Sequence, residues 1–215
     1  MKLKVLIKGI LAGMLVSIGG WLYLKANTVA SPIIGPFLFS TGLILIYNFD
    51  FYLYTGKICY LFENKSETYK KKISDLLIGV LGNLIGALIM GLTLRLVLKG
   101  SNDQLFINLS SSVSKKINYE WYQMIILGFF CGMFLYFAVE GFKTIDNVLG
   151  KYIVLMLCIA GFIIAGFEHS IANMFYFSLN NTFSLSSFFL LFLCFIGNTL
   201  GGLFIPTVRS YLEKK

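Results

Sequence analysis

Two apolar stretches of this chain are too long to cross a bilayer once, and both carry polar groups near their middle. They run at about 27–61 and 149–179. A bilayer core of ~30 Å takes roughly 20 helical residues, so about 30 to 35 residues at ~1.5 Å each overshoot it by half again. Asn48, Asp50 and Thr55 interrupt the first stretch, and Glu168, His169 and Asn173 interrupt the second. Four other stretches, at about 5–24, 74–98, 121–142 and 184–208, fit one span each. Excess length with mid-span polar residues predicts a broken helix. Irregular backbone at that depth survives only where protein buries it or water lines it.

Composition sets the class. The chain is 57% hydrophobic and 13% charged, where a soluble domain carries roughly 25% charged residues. It therefore reads as an all-α integral membrane protein, with residues 1–215 as a single transmembrane domain. The net charge of +8 does not point to nucleic acid, because the lysines sit in short loops between apolar runs and form no basic groove. The membrane surface, its lipid and small anions are the expected partners. Cys59, Cys131, Cys158 and Cys194 are scattered without a CxxC pair, which reads as burial of small hydrophobes rather than a metal or disulfide role. No metal and no cofactor are expected. The first thirty residues have the look of a secretory signal, but their core recurs later, so they are read as a first membrane helix.

The recurrence is ordered. GILAGML (9–15) matches GFFCGMF (128–134), and GNLIGAL (82–88) matches GNTLGGL (197–203). These matches pair the first span with the fourth and the third with the sixth, leaving the two overlong spans as partners. Each half, about 1–100 and 119–210, then holds three spans and must insert with opposite orientation. A 3+3 inverted repeat with broken second and fifth helices is a pointer to a transport pathway. With the N-terminus inside, Lys2, Lys4, Lys8, Lys57, Lys65, Lys70, Lys71, Lys72, Lys143, Lys151, Arg209, Lys214 and Lys215 face the cytoplasm. Lys25, Arg95, Lys99, Lys115 and Lys116 face outward. The positive-inside rule thus predicts cytoplasmic termini.

An ionisable side chain at membrane depth costs several kcal/mol unless it is bonded or faces water. Glu168 and the chain's one histidine, His169, are adjacent, so they point about 100° apart on a helix. His169 is assigned to the lumen, where it can exchange protons near neutral pH. Glu168 is expected to turn inward and accept hydrogen bonds from backbone amides freed at the break. Asn83 and Asn198, at equivalent places in the GNxxG segments, read as interhelical hydrogen-bonders. Phe162 lies two turns before His169; on spacing alone, core packing is the first reading for it and for Phe39 and Leu43. Lys115 and Lys116, opening the outer end of the fourth span, either snorkel or form an electropositive vestibule.

GFEHSIANMF (166–175) resembles the central-histidine motif of the formate/nitrite transporter family, pentameric small-anion channels that include nitrite and hydrosulfide members. PFLFSTGLILIYNFDFYLYTGK (36–57) resembles that family's broken second helix, and the GNxxG segments also match. The resemblance implies an aquaporin-like protomer in a homopentamer of the plasma membrane. It implies His169 as the central histidine, Thr55 as its loop partner and Lys116 as a vestibule lysine. Phe39 and Phe162 match one constriction, with Leu43 nearby, and Leu53 and Tyr54 match the second. Asn173 matches the motif's asparagine. Gly132 departs from an asparagine usual on the fourth span, Tyr54 from a phenylalanine, and Asp50 sits about two residues from the usual acidic position.

The mechanism this implies starts from desolvation. A bare formate, nitrite or hydrosulfide ion cannot cross two apolar rings, so His169 would stabilise or protonate it between them, with Thr55 fixing the ring. An aquaporin-like channel for a small neutral solute is the alternative, but none of Pro32, Pro36 and Pro206 follows an asparagine as that family's motif requires. An enzyme is not expected: a lone histidine without cysteine or further carboxylates nearby makes poor hydrolytic machinery. A purely structural scaffold would have no use for the overlong, interrupted spans.

Overall fold

A computed structural model of the chain describes residues 2–29, 31–63, 68–98 and 104–213. Lys65, Lys99, Lys214 and Lys215, counted above in the charge asymmetry, lie outside the described residues. Among the described residues all regular structure is helical: α1 (Lys2–Val29), α2 (Ile34–Asn48), α3 (Tyr54–Lys57), α4 (Tyr69–Leu98), α5 (Gln104–Ile117), α6 (Trp121–Thr144), α7 (Val148–Ile164), α8 (Ser170–Asn180) and α9 (Leu185–Leu212). A 3-10 turn at Ile58–Tyr60 continues α3.

Helices α1, α4, α6 and α9 are each long and apolar enough to cross a membrane. Each overlong stretch is divided between two helices, α2 with α3 and α7 with α8. Large apolar side chains such as Leu77, Leu81, Leu96, Phe189 and Phe192 point outward. In water such a surface would be an association hazard; around a membrane protein it meets lipid.

Helix α1 packs on α4 and α2, α6 packs on α9 and α7, and α2 meets α7 while α4 meets α8. The repeated glycines explain how closely α1 approaches α4 and α6 approaches α9. A Cβ on Gly13 would lie 2.0 Å from the Asn83 carbonyl oxygen, and one on Gly132 would lie 2.3 Å from that of Asn198. Small residues let backbones touch where lipid supplies no hydrophobic drive. Gly132 is thus a helix-contact position, and an asparagine there would force α6 and α9 apart.

Helix α5 is absent from the sequence reading because its composition is polar. Its signal was periodicity: Leu105, Leu109 and Val113, four residues apart, are its buried residues. Lys115 and Lys116 belong to its last turn rather than opening the fourth span. The Glu120–Gln123 capping box starts α6 afresh at Trp121, leaving three residues between the two helices.

Candidate functional site

The two interrupted stretches solve the same backbone problem. A helix that stops in a dry interior leaves carbonyls and amides that need partners. Helix α2 ends with Asp50 at φ 50°, and the Phe51 N–H donates back to the Ile46 carbonyl at 2.9 Å. Helix α7 ends with Gly166 at φ 74°, and the Phe167 N–H donates to the Phe162 carbonyl, also at 2.9 Å. Both are left-handed C-terminal stops of the Schellman type.

The next helix then starts on an asparagine. The Tyr54 N–H donates to Asn83 Oδ1 at 2.8 Å, while Asn83 Nδ2 donates to the carbonyls of Gly9 and Tyr52, both at 2.8 Å. The Ser170 N–H donates to Asn198 Oδ1 at 2.9 Å, while Asn198 Nδ2 donates to the carbonyls of Gly128 at 2.9 Å and Glu168 at 2.8 Å. A side-chain amide has the two donors and one acceptor that this junction needs. Asn83 and Asn198 therefore do more than join helices: each satisfies a chain break.

His169 sits where α8 begins. Its Nδ1 accepts from the Ala172 N–H at 3.3 Å, and its Nε2 lies 3.0 Å from Thr55 Oγ1. An N–H donating to Nδ1 requires a lone pair there, so the proton of the neutral ring is on Nε2 and is donated to the threonine. Thr55 lies in the first turn of α3 rather than in a loop. Both side chains are buried. The Phe162 ring centroid is 6.3 Å from that of His169, and Phe39 meets Phe162 edge-on at 6.3 Å. Phe39, Phe162, Lys116, Glu168, His169 and Asn173 line one cavity of about 150 Å³.

Glu168 corrects an expectation. Its carboxylate does not collect the freed amides, which Asn198 and His169 serve; it accepts from Lys116 Nζ at 2.5 Å. Both partners are largely buried, with side-chain exposures of 16% for Lys116 and 4% for Glu168. A carboxylate so deep has to be compensated, so Lys116 neutralises Glu168 before it can attract anything else. Tyr176 and Tyr23 line the same cavity, and the Lys116 ammonium stands 5.8 Å from the Tyr176 ring centroid. Tyr176 follows His169 by seven residues, a helical spacing that marks one face. Asn173 Nδ2 points at Cys194 Sγ, 3.7 Å away, while its Oδ1 has no hydrogen-bond partner among the described residues.

Leu43, Leu53 and Tyr54 are buried but do not line this cavity. Leu53 precedes α3 as His169 precedes α8. Tyr54 stacks on Phe195 at 4.9 Å, and its hydroxyl lies 2.9 Å from Thr199 Oγ1, so the extra oxygen is engaged by α9. Asp50 is at the surface, bonded to Lys8 and 3.6 Å from Lys57.

An all-helical, multi-pass membrane protein with a buried polar pair is the class these observations define. The family model described as formate/nitrite transporter matches residues 1–212, and the chain belongs to that family. It is 28% identical over 186 residues to the formate channel FocA of Escherichia coli K12, covering 80% of this chain and 65% of that protein. It is 24% identical over 220 residues to a formate-nitrite transporter of Entamoeba histolytica, covering 94% of this chain and 62% of that one. The chain thus spans a little under two thirds of the length of these relatives. Among solved structures, a pentameric formate channel with formate bound superposes with a TM-score of 0.86 at 23% identity, over 98% of this chain and 96% of that one. An ion channel of the same family superposes with a TM-score of 0.87 at 21% identity, over 99% and 91%.

Proposed function

We propose that the chain is a channel for small monovalent anions of weak acids (formate, nitrite or hydrosulfide), whose pathway runs between the two chain breaks past His169 and Thr55. The observation that carries this reading is the His169–Thr55 contact, which joins α3 to α8 across 114 residues of sequence. The matching breaks between α2 and α3 and between α7 and α8, bonded by Asn83 and Asn198, support a six-span, 3+3 inverted repeat in a single transmembrane domain. The likeness to the pentameric formate channel supports a homopentamer. The excess of lysine predicted for one face supports an orientation with both termini in the cytoplasm, and the membrane proposed is the plasma membrane.

In this reading Phe39 and Phe162, with Leu43 nearby, form one dry ring, and Leu53 and Tyr54 the other. An anion reaches the cavity beside Lys115 and Lys116 and meets the histidine through Thr55, whose hydroxyl accepts the Nε2–H and has its own proton to donate, while Asn173 Oδ1 offers an acceptor to the protonated form. The Nδ1 lone pair is held by Ala172, so the ring orients the acid rather than acting as a standing cation. The proton that accompanies the anion is delivered by a hydronium ion of the vestibule solvent, which is left as water, and the neutral acid crosses the ring.

The test is flux of formate, nitrite, hydrosulfide, acetate and lactate into proteoliposomes at two pH values, for the native protein and His169→Phe. Selective uptake of one or two small anions is expected, falling at least ~10-fold in the variant, about 1.4 kcal/mol on the barrier. Undiminished flux in assembled His169→Phe would sink the reading.

A further inference from the structure

Helix α3 has four residues, far below the roughly 12 that an isolated helix needs, so side chains reaching outward set its place. One is Thr55, whose hydroxyl meets His169. Another is Tyr54, which reaches α9. Consecutive residues part company here. Leu53 packs in the central cluster with Phe39, Leu43 and Phe162, whereas the Tyr54 ring joins a separate one with Ile58, Cys59, Leu76 and Tyr136.

Three attachments hold Tyr54. Its N–H donates to Asn83 Oδ1 at 2.8 Å, and its ring stacks on Phe195 with centroids 4.9 Å apart and planes 27° from parallel. Its hydroxyl stands 2.9 Å from Thr199 Oγ1. The Thr199 hydroxyl has one proton and donates it to the Phe195 carbonyl at 2.8 Å, so toward the tyrosine it acts as acceptor. Phe195 and Thr199 are four residues apart on α9, one above the other on one face. One turn of α9 thus supports the ring and bonds its tip. The intervening Asn198 bonds the start of α8, so the same turn serves both chain breaks. A ring held by stacking alone keeps more than one rotamer within reach; the hydroxyl removes that freedom.

We propose that Thr199 is a positioning residue: by accepting from Tyr54 it pins that ring against α9 and keeps it out of the passage beside Leu53. This rests on the channel reading above, in which Leu53 and Tyr54 form the second dry ring. Without the bond the ring swings toward Leu53 and narrows the passage, although the His169 cavity is untouched.

The experiment compares full-length variants in proteoliposomes with formate as probe, assembly being checked by size-exclusion chromatography. In Thr199→Val, which keeps the shape and removes the oxygen, maximal formate flux is expected to fall. A fall of about 3- to 10-fold is the population shift that one such hydrogen bond is worth. Half-saturation stays native, because the His169 cavity still loads. Thr199→Ser keeps the acceptor and should keep the flux. Tyr54→Phe should match Thr199→Val, and the two together should add nothing further, as partners in one contact do. Unchanged or raised flux in Thr199→Val, an equal loss in Thr199→Ser, or additive losses would overturn the proposal. A second readout needs no flux. In protein labelled with 3-fluorotyrosine, the 19F line missing from Tyr54→Phe belongs to Tyr54; it is expected to shift in Thr199→Val and to stay in Thr199→Ser. If the native protein carries no formate flux, the channel reading fails and this line alone decides whether Thr199 holds the ring; a line unmoved in Thr199→Val overturns it.

Discussion

The α2–α3 and α7–α8 junctions share a backbone and differ in nearly everything else. Each ends a helix with a left-handed residue, extends for a few positions and restarts on a side-chain amide. At the residue before the restart one junction has Leu53 and the other His169. At the carbonyl that the asparagine binds, one has Tyr52 and the other Glu168. Asp50 meets lysines at the surface, whereas Glu168 meets Lys116 in the interior. Helix α3 is four residues long, while residues 170–179 of α8 are all buried. The difference teaches that the frame is built twice and the ionisable chemistry is placed once. A second buried charge would cost several kcal/mol, and one histidine suffices if the opposite half brings a hydroxyl to it.

The comparison can be broken most forcefully at the buried ion pair. Lys116→Met leaves Glu168 uncompensated and should cost about 3–5 kcal/mol, read as a drop in the unfolding midpoint in detergent. Adding Glu168→Gln should recover much of the loss, because the buried group is then neutral. A single variant as stable as the native protein would mean that the pair does not hold Glu168 in place.

The two asparagines test whether the frames are equivalent. Asn83→Ala and Asn198→Ala each strip three hydrogen bonds from buried backbone, a loss of about 2–3 kcal/mol, and the two should match within error. Flux should separate them, with Asn198→Ala suffering more because it loosens the start of the helix that His169 caps. Equal flux in both would argue that the histidine is oriented by Ala172 and Thr55 alone.

The smallest effect is expected at the left-handed residues. Gly166→Ala meets no steric neighbour, so its cost is conformational, about 1–2 kcal/mol. Asp50→Gly relieves backbone strain but loses a surface pair, and should stay within about 1 kcal/mol of the native protein. Thermal unfolding of the two variants side by side measures the difference; a large loss at Asp50 would mean that its lysine contacts carry more weight than their exposure suggests.

What was legible in the chain is whatever depends on neighbours in sequence. Hydropathy over some twenty residues marked the long helices, and polar residues inside overlong runs marked where α2 and α7 would stop. The paired GILAGML and GFFCGMF segments marked an internal repeat, and the structure shows that their glycines are where α1 meets α4 and α6 meets α9. Helix α5 was readable in principle from Leu105, Leu109 and Val113, but its polar composition hid it among loops. His169 and Glu168 stand out by polarity at membrane depth and Thr55, Lys116, Phe39 and Phe162 by motif likeness, but Tyr23 and Tyr176 of the same cavity carry no such signal, and the arrangement of the set is not readable from the chain. Lys116 lies 52 residues from Glu168, and Thr55 lies 114 from His169. Thr199 lies 145 from Tyr54. The sequence by itself determined a membrane protein of long apolar helices with two interrupted segments, since the hydrophobic effect and backbone hydrogen bonding act locally. Only the tertiary structure decided which carboxylate meets which ammonium and which amide closes each break. Those choices depend on distances of a few ångströms between segments the chain keeps far apart.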